Sequence, residues 1–123
     1  MQSFDPQHIK GYHAHVYYNS PAEREIAARI REAVEDQFDV EMGRWRDEPV
    51  GPHPAPMYQI AFSPELLPQL LPWLMSVSAS LSILVHARTG QSDLLDHTAG
   101  AVWLGPQLGL NTAFFGDEIG RTA

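Results

Sequence analysis

Histidine and tyrosine side chains alternate along the segment GYHAHVYYN, which occupies positions 11–19. In an extended strand successive side chains point to opposite faces, so His13, His15 and Tyr17 would share one face. Imidazole nitrogens bind divalent metal ions and exchange protons near neutral pH. The segment therefore predicts a strand that presents metal-binding or proton-transfer groups on one side.

A second strand is predicted to bring another histidine to the same place. The segment LSILVHA at 81–87 alternates, with Ile83 and Val85 on one face and His86 on the other. Side chains two apart on a strand are separated by about 7 Å, and neighbouring strands by about 4.8 Å. Imidazoles from two adjacent strands can therefore converge on one ion or one substrate.

The order of the predicted elements indicates the fold. Ser20 and Pro21 begin a helix with the Ser-x-x-Glu signature of a capping box, and apolar residues at helical spacing continue to about Gln37. Further strands are predicted at 38–46 and 57–62, and a helix broken by prolines at 64–77. This order predicts an α+β domain of the ferredoxin-like βαββαβ type, an antiparallel sheet with both helices on one face.

The opposite face of that sheet carries the histidines and is left open by the helices. An open polar face is either wet or closed by another segment. The C-terminal stretch AVWLGPQLGLNTAFF at 101–115 is apolar enough to close it, either as a tail of the same chain or from a partner's sheet.

Length, charge and cysteine content exclude several classes of protein. The 123 residues predict a single domain, 1–123, with flexible ends at 1–9 and 116–123. A net charge of −7 without a Lys/Arg cluster argues against a nucleic acid partner, and the absence of cysteine excludes disulfides and Cys-based metal sites. Without a leader-like N-terminus or a membrane-length apolar run, a cytoplasmic protein without a membrane partner is expected.

Five phrases occur in the same order between about residues 10 and 110: GYHAHVYY, VGPHPAPMYQIAF, PWL, LSILVH and DHTAGAVWLG. Together they resemble the DOPA 4,5-dioxygenase family of small aromatic ring-cleaving enzymes. The resemblance implies a homodimer of ferredoxin-like domains, a dimeric α/β barrel. It also implies extradiol cleavage of a catechol such as DOPA by O₂, with a non-haem Fe(II) held by histidines. The histidine-bearing phrases of the family fall on His15, His53, His86 and His97.

On this match we predict that His15, His53 and His86 hold the metal. His53 lies between two prolines, which fix its backbone at low entropic cost. The metal is expected to be Fe(II), with zinc possible in a purified sample, because imidazole accepts several divalent ions. A carboxylate often completes such sites, but none stands in an obvious position, so an all-histidine site is expected. The candidate carboxylates are Glu41, Glu48 and Asp96.

Two further histidines are predicted as catalytic groups. His97, in LLDHTAG, can serve as a general base or a replacement ligand, or it can simply mark a helix start. His13 shares the face of His15 and can contact substrate, or it can be a solvated side chain.

Three other residues are predicted to bind substrate. Arg44 can pair with a substrate carboxylate as a planar fork, although it can also be an ordinary surface charge. Tyr17 and Gln59 lie on the histidine face of their strands and can line the pocket.

Two other functions fit the same pattern. One is a non-catalytic ferredoxin-like dimer that binds an aromatic small molecule on the open face. The other is a metal-free oxygenase of similar architecture. Both would work in the presence of a chelator, whereas the iron enzyme would lose its activity.

Overall fold

The computed structural model describes residues 4–116. The strands and α-helices, in chain order, are β1 (Gly11–Tyr17), α1 (Pro21–Gln37), β2 (Glu41–Met42), β3 (Met57–Phe62), α2 (Leu67–Val77), β4 (Ile83–Arg88), α3 (Asp93–Asp96) and β5 (Ala101–Leu104). Short 3₁₀ helices lie at Pro6–His8, Pro64–Leu66 and Thr112–Phe115. The strands form one antiparallel sheet in the order β2-β3-β1-β4-β5. The chain is therefore an α+β protein in which β1 lies between β3 and β4, as predicted.

Helix α1 begins where its capping residues predicted. The Glu23 N–H donates to Ser20 Oγ at 3.1 Å, and the Asn19 N–H donates to the Glu23 carboxylate at 2.7 Å. These two bonds satisfy donors that an uncapped helix start would leave without partners.

Within residues 4–116, no helix is both long and apolar enough to cross a membrane.

The main hydrophobic core lies between the sheet and the two longer helices. Its helix side is formed by Ala27, Ile30 and Val34 of α1 and Leu70 and Leu74 of α2. Its sheet side is formed by the alternate residues Ala14, Val16, Tyr58, Ile60, Phe62, Ile83 and Val85. Both helices therefore cover the same face of the sheet, which leaves the histidine side of β1 and β4 for other contacts.

The edge strand β2 is shorter than predicted and contains one extra residue. Met42 pairs with Ile60, and the next pairing joins Arg46 to Met57. Three residues of the edge segment therefore lie opposite two residues of β3, which is a β-bulge. A bulge shifts the alternation of side chains by one. Accordingly Trp45 packs on the helix side with Met42, although a regular strand would have placed it on the opposite face.

The C-terminal segment of the same chain covers part of the histidine face. β5 pairs with β4 at the far edge of the sheet, a strand that the sequence did not predict. Beyond it, Leu108 and Leu110 pack with Trp103 against a small cluster that includes Tyr17 and Leu84. The Ser82 hydroxyl donates to the Pro106 carbonyl and ties this segment down. Of the two predicted ways to close the histidine face, a tail of the same chain is therefore the one that the structure shows for this part of the face.

Part of the predicted flexible start has regular structure. Asp5 caps the 3₁₀ helix Pro6–His8, since the Gln7 N–H donates to its carboxylate at 2.9 Å. The Lys10 N–H donates to the Arg88 carbonyl at 2.7 Å, which joins this segment to β4. Residues 1–3 and 117–123 of the two predicted ends lie outside the described residues.

Gly105→Ala is expected to destabilise the protein by about 2 kcal/mol or more. Gly105 has a positive φ of 72° at the end of β5, and the Leu81 carbonyl oxygen lies where a Cβ would stand. Alanine would therefore add left-handed strain to a steric clash with backbone. Urea unfolding measures the change. Gly109→Ala is the matched control, because nothing lies within 4 Å of its Cβ position. Equal midpoints for the two variants would contradict the prediction.

Candidate metal centre

Five histidines from four segments meet on the open face of the sheet. His13 and His15 come from β1, and His86 of β4 is the register partner of His13. The loop before β3 contributes His53, and the residue after α3 is His97. Ring centroids lie 4.2 Å apart for His15 and His53, 5.1 Å for His15 and His86, and 4.0 Å for His86 and His97. All five imidazoles therefore belong to one cluster.

The loop that carries His53 is held from three sides. The His53 N–H donates to the Val50 carbonyl at 3.1 Å, and the Asn111 N–H of the C-terminal segment donates to the Pro52 carbonyl at 2.8 Å. The Tyr17 hydroxyl forms a 2.7 Å hydrogen bond with His53 Nδ1. Burial raises the pKa of Tyr17, so the hydroxyl keeps its proton at neutral pH. His53 is thus fixed by side-chain and backbone contacts as well as by its flanking prolines.

His97 is oriented by the turn that follows α3. Its Nδ1 lies 2.7 Å from the Asp93 carbonyl, to which it must donate, so Nε2 carries the lone pair. The Phe115 ring packs on the imidazole at 5.1 Å between centroids. The turn itself is tied to β4, because the Asp96 carboxylate accepts the N–H and the hydroxyl of Thr89 at 3.0 and 2.7 Å.

None of the three candidate carboxylates belongs to a group of described side chains that is compact enough to bind a metal ion together with the imidazoles. Asp96 is used in the Thr89 contact, and Glu41 and Glu48 are exposed. Among the described residues, the two groups compact enough to hold a metal ion consist of histidines alone. This composition fits the predicted all-histidine site.

One buried nitrogen of the cluster has no partner in the part of the chain that the structure describes. His86 Nδ1 lies 2.9 Å from the Ala87 carbonyl and donates to it, which leaves the lone pair on Nε2. His15 Nε2 lies 3.1 Å from His86 Nε2 and must donate in the metal-free protein. His15 Nδ1 then keeps a buried lone pair without a donor. Such an atom is costly unless a ligand satisfies it, so the cluster fits a metal ion.

Burial keeps four of the five imidazoles neutral at pH 7, because it lowers their pKa values. It lowers the pKa of His53 and of His13 to about 4 and that of His86 to about 3, with smaller electrostatic contributions from Arg88 to His13 and from His97 to all three. The pKa of His15 is also lowered well below its ordinary value, first by burial and then by His53 and His86. Only neutral imidazole binds metals, so these lone pairs are available at pH 7.

The histidines form two compact groups that share one member. His13, His15 and His86 make the first group, and His15, His53 and His97 make the second, with ligand atoms within 4.8 Å of one another in each. Either triad could bind a metal ion. Of the predicted ligands, His86 belongs to the first group, His53 belongs to the second, and His15 belongs to both. His15 is therefore the histidine that both arrangements require.

A cavity of about 260 Å³ opens beside His15 and His53. Arg44 and Gln59, which were predicted to bind substrate, line it. Tyr17 does not line this cavity in the structure; its hydroxyl lies against His53 instead. The remaining lining residues are Gly43, Arg46, Val50, Gly51, Pro52 and Met57.

Arg46 was missed by the sequence reasoning, although a signal for it exists. Its spacing of two from Arg44 places both on one face of an extended segment. The bulge decides which face that is. It directs Trp45 to the core and both guanidinium-bearing residues to the cavity.

A family model and one named relative point to the same family. A family model described as the Dopa 4,5-dioxygenase family matches residues 12–114. A DOPA 4,5-dioxygenase from Amanita muscaria is 34% identical over 121 residues, which cover 92% of this chain and 53% of that protein. A 21.2 kDa protein of Botryotinia fuckeliana, described as uncharacterized, is 33% identical over 114 residues, or 84% of this chain and 62% of that one. The chain thus spans between about half and three fifths of these relatives' length.

A solved structure is similar over the whole chain. The crystal structure of a candidate dioxygenase from Nostoc punctiforme superposes with a TM-score of 0.87 at 43% identity. The match covers 98% of this chain and 100% of that one. At this identity the likeness extends to sequence as well as to fold.

Proposed function

Because the chain belongs to the Dopa 4,5-dioxygenase family, we propose that it is an extradiol dioxygenase that cleaves the ring of a catechol such as DOPA with O₂. The family implies an oxygenase with an aromatic substrate. The observation that supports ring cleavage in this chain is the cluster of five histidines on the open face of the sheet, with a substrate-sized cavity on one side. A metal and a single-ring substrate would meet there, which is the arrangement that this reaction needs.

We propose Fe(II) as the resident metal and His15, His53 and His86 as its ligands, with zinc as an alternative in a purified sample. When bound, Fe(II) supplies the Lewis-acid and redox chemistry that joins O₂ to the ring. The orphaned Nδ1 of His15 and the lone pair on Nε2 of His86 support these two residues as ligands, and His53 joins His15 in the second compact group.

His97 and His13 are proposed as the proton acceptors. His97 would take a hydroxyl proton of the catechol on Nε2, because its Nδ1–H is committed to the Asp93 carbonyl. His13 is less buried than His15 and His86 and lies beside both, with ring centroids at 5.9 and 5.2 Å. It can therefore exchange a proton with solvent.

Substrate contacts are proposed for Arg44 and Gln59, and a positioning role is proposed for Tyr17. Arg44 and Gln59 line the cavity and offer N–H donors to it. Tyr17 is buried and its hydroxyl is used by His53, so its contribution is to position that imidazole.

The assembly is proposed to be a homodimer of ferredoxin-like domains. The order β2-β3-β1-β4, with α1 and α2 on one face, supports a βαββαβ unit extended by β5. Phe114 is 60% exposed and lies against Gly51 at the cavity rim. A second sheet over this face would bury it and complete a barrel.

Tyr17→Phe is expected to weaken metal binding about tenfold or more. The substitution keeps the ring stack with Trp103, whose centroid lies 5.8 Å away, but removes the hydrogen bond that orients His53. Competition with a chromogenic chelator measures the affinity. Tyr12→Phe is the control, because Tyr12 stacks on Phe62 and lies on the opposite face of β1. Equal affinities in the two variants would show that the hydroxyl does not position a ligand.

Oxygen consumption by the Fe(II)-loaded protein tests the proposed function. With DOPA and simpler catechols we expect O₂ uptake together with a yellow ring-opened product, and loss of both on chelation. Uptake that persists in chelator would support a metal-free oxygenase instead. If none of the catechols is cleaved by protein whose bound iron has been confirmed by elemental analysis, the proposal is overturned.

A further inference from the structure

Two arginines of the edge segment reach the cavity together. Arg44 and Arg46 both line it, beside His15 and His53, because the bulge turns Trp45 to the opposite side. Each guanidinium carries a permanent positive charge and a planar fork of donors that matches a carboxylate. Two cationic groups therefore line the cavity next to the histidine cluster.

Neither of these guanidinium groups is paired with an acidic side chain in residues 4–116. The ion pairs of that part of the chain use other arginines: Arg24 with Asp47, Arg29 with Glu25, and Arg31 with Glu35. In a chain of net charge −7, two unpaired arginines at one cavity are available to an anionic ligand.

The described residues that line the cavity include no aspartate or glutamate. An ammonium group bound there would face two positive charges without an acceptor of opposite charge, and like charges in such a site disfavour binding. The volume of about 260 Å³ lies at the small end of ligand cavities, which favours a single ring with a short side chain. The cavity thus suits a small aromatic acid better than an amino acid.

We propose that the preferred substrate is a catechol with a carboxylate side chain and no amino group, with its carboxylate held by Arg44 and Arg46. This inference rests on the proposed function of catechol cleavage and specifies its substrate class. Gln59, on the same cavity wall, adds neutral donors and acceptors. The side-chain carboxylate would orient the ring, so that the two hydroxyls point towards His15 and His53.

A matched series of catechols tests the inference. Dihydroxyphenylpropionate and DOPA differ only in the amino group, propylcatechol lacks the carboxylate, and dopamine is a cation. We expect kcat/KM for dihydroxyphenylpropionate to be about tenfold higher than for DOPA. The value for propylcatechol should be lower than that for DOPA, and the value for dopamine should be the lowest of the four. A rank order with DOPA or dopamine first would overturn the inference and leave ring cleavage intact.

Arginine variants test the assigned residues. In R44Q and R46Q, the preference for dihydroxyphenylpropionate over propylcatechol should fall about tenfold each, because the carboxylate loses one of its two cationic partners. R29Q is the control, because Arg29 lies on an exposed face of α1 in an ion pair with Glu25. Unchanged preference in both R44Q and R46Q would refute the assignment.

A binding measurement separates this inference from the proposed function. Phenylpropionate and phenylpropanol carry no ring hydroxyls and cannot be cleaved, so calorimetric titration of the metal-loaded protein reports the carboxylate contact alone. If no catechol is cleaved but phenylpropionate binds at least fivefold more tightly than phenylpropanol, with loss in R44Q, the anion site stands and the proposed function fails. Equal affinities would overturn the anion site.

Discussion

Replacement of His15 by alanine is expected to weaken metal binding at least about 100-fold and to abolish O₂ consumption. His15 belongs to both compact groups of histidines, so neither triad survives its loss. It is only 3% exposed, and its Nδ1 is the buried atom without a partner. Loss of one ligand from a three-ligand site removes most of its affinity. Elemental analysis after dialysis and chelator competition measure the effect.

The His15 result is best judged against graded variants. His8→Ala is the control, because His8 is exposed in the first 3₁₀ helix. His53→Ala disrupts one group and is expected to lose less affinity than His15→Ala, and His13→Ala, which removes no proposed ligand, is expected to lose less still. His15→Gln retains more of the side-chain volume, so a loss of metal in that variant with an unchanged melting temperature excludes simple unfolding. If His15→Ala binds the metal with wild-type affinity, His15 is not a ligand in either group of histidines.

Acidification from pH 7.5 to pH 5 is expected to destabilise the metal-free protein by several kcal/mol. The unfolded chain protonates its histidines near their ordinary pKa of 6.5, whereas the folded pKa is about 4 for His53, about 3 for His86 and well below 6.5 for His15. Below pH 6.5 the unfolded state therefore binds more protons, and stability falls until the pH reaches the folded values. At pH 5 this amounts to roughly 1 to 2 kcal/mol for each buried imidazole.

Urea midpoints at pH 7.5, 6 and 5, measured in chelator, test this dependence. His53→Gln should show a shallower loss of stability with acid than the wild type, because one of the titrating groups is gone. His8→Ala should follow the wild-type curve, since its side chain is exposed and lies outside the cluster. A midpoint that stays constant between pH 7.5 and 5 would mean that the imidazoles are not held neutral by burial.

The strand-borne part of the site was predictable because it depends on local alternation. Period-two patterning alone places His15 and His86 on the face opposite to Val16 and Ile83, and the register confirms that β1 and β4 are neighbours. Helix α1 was equally predictable, because its capping residues and apolar spacing are local signals.

The loop-borne part was not predictable from local patterns. The sequence resemblance pointed to His53, but its place follows from the Asn111 contact with Pro52 and from the Tyr17 hydrogen bond, which join residues far apart in the chain. The fifth strand is only four residues long, too short for alternation to distinguish it from a loop. The edge bulge was not predictable either, because it is defined by the pairing of this segment with β3 and not by a local sequence pattern.

That bulge decides which side of the sheet receives the charge of the edge segment. Without it, regular alternation from Met42 would place Arg44 and Arg46 on the helix side and Trp45 on the cavity side. The one extra residue therefore gives the cavity its two guanidinium groups and the core its tryptophan at the same time.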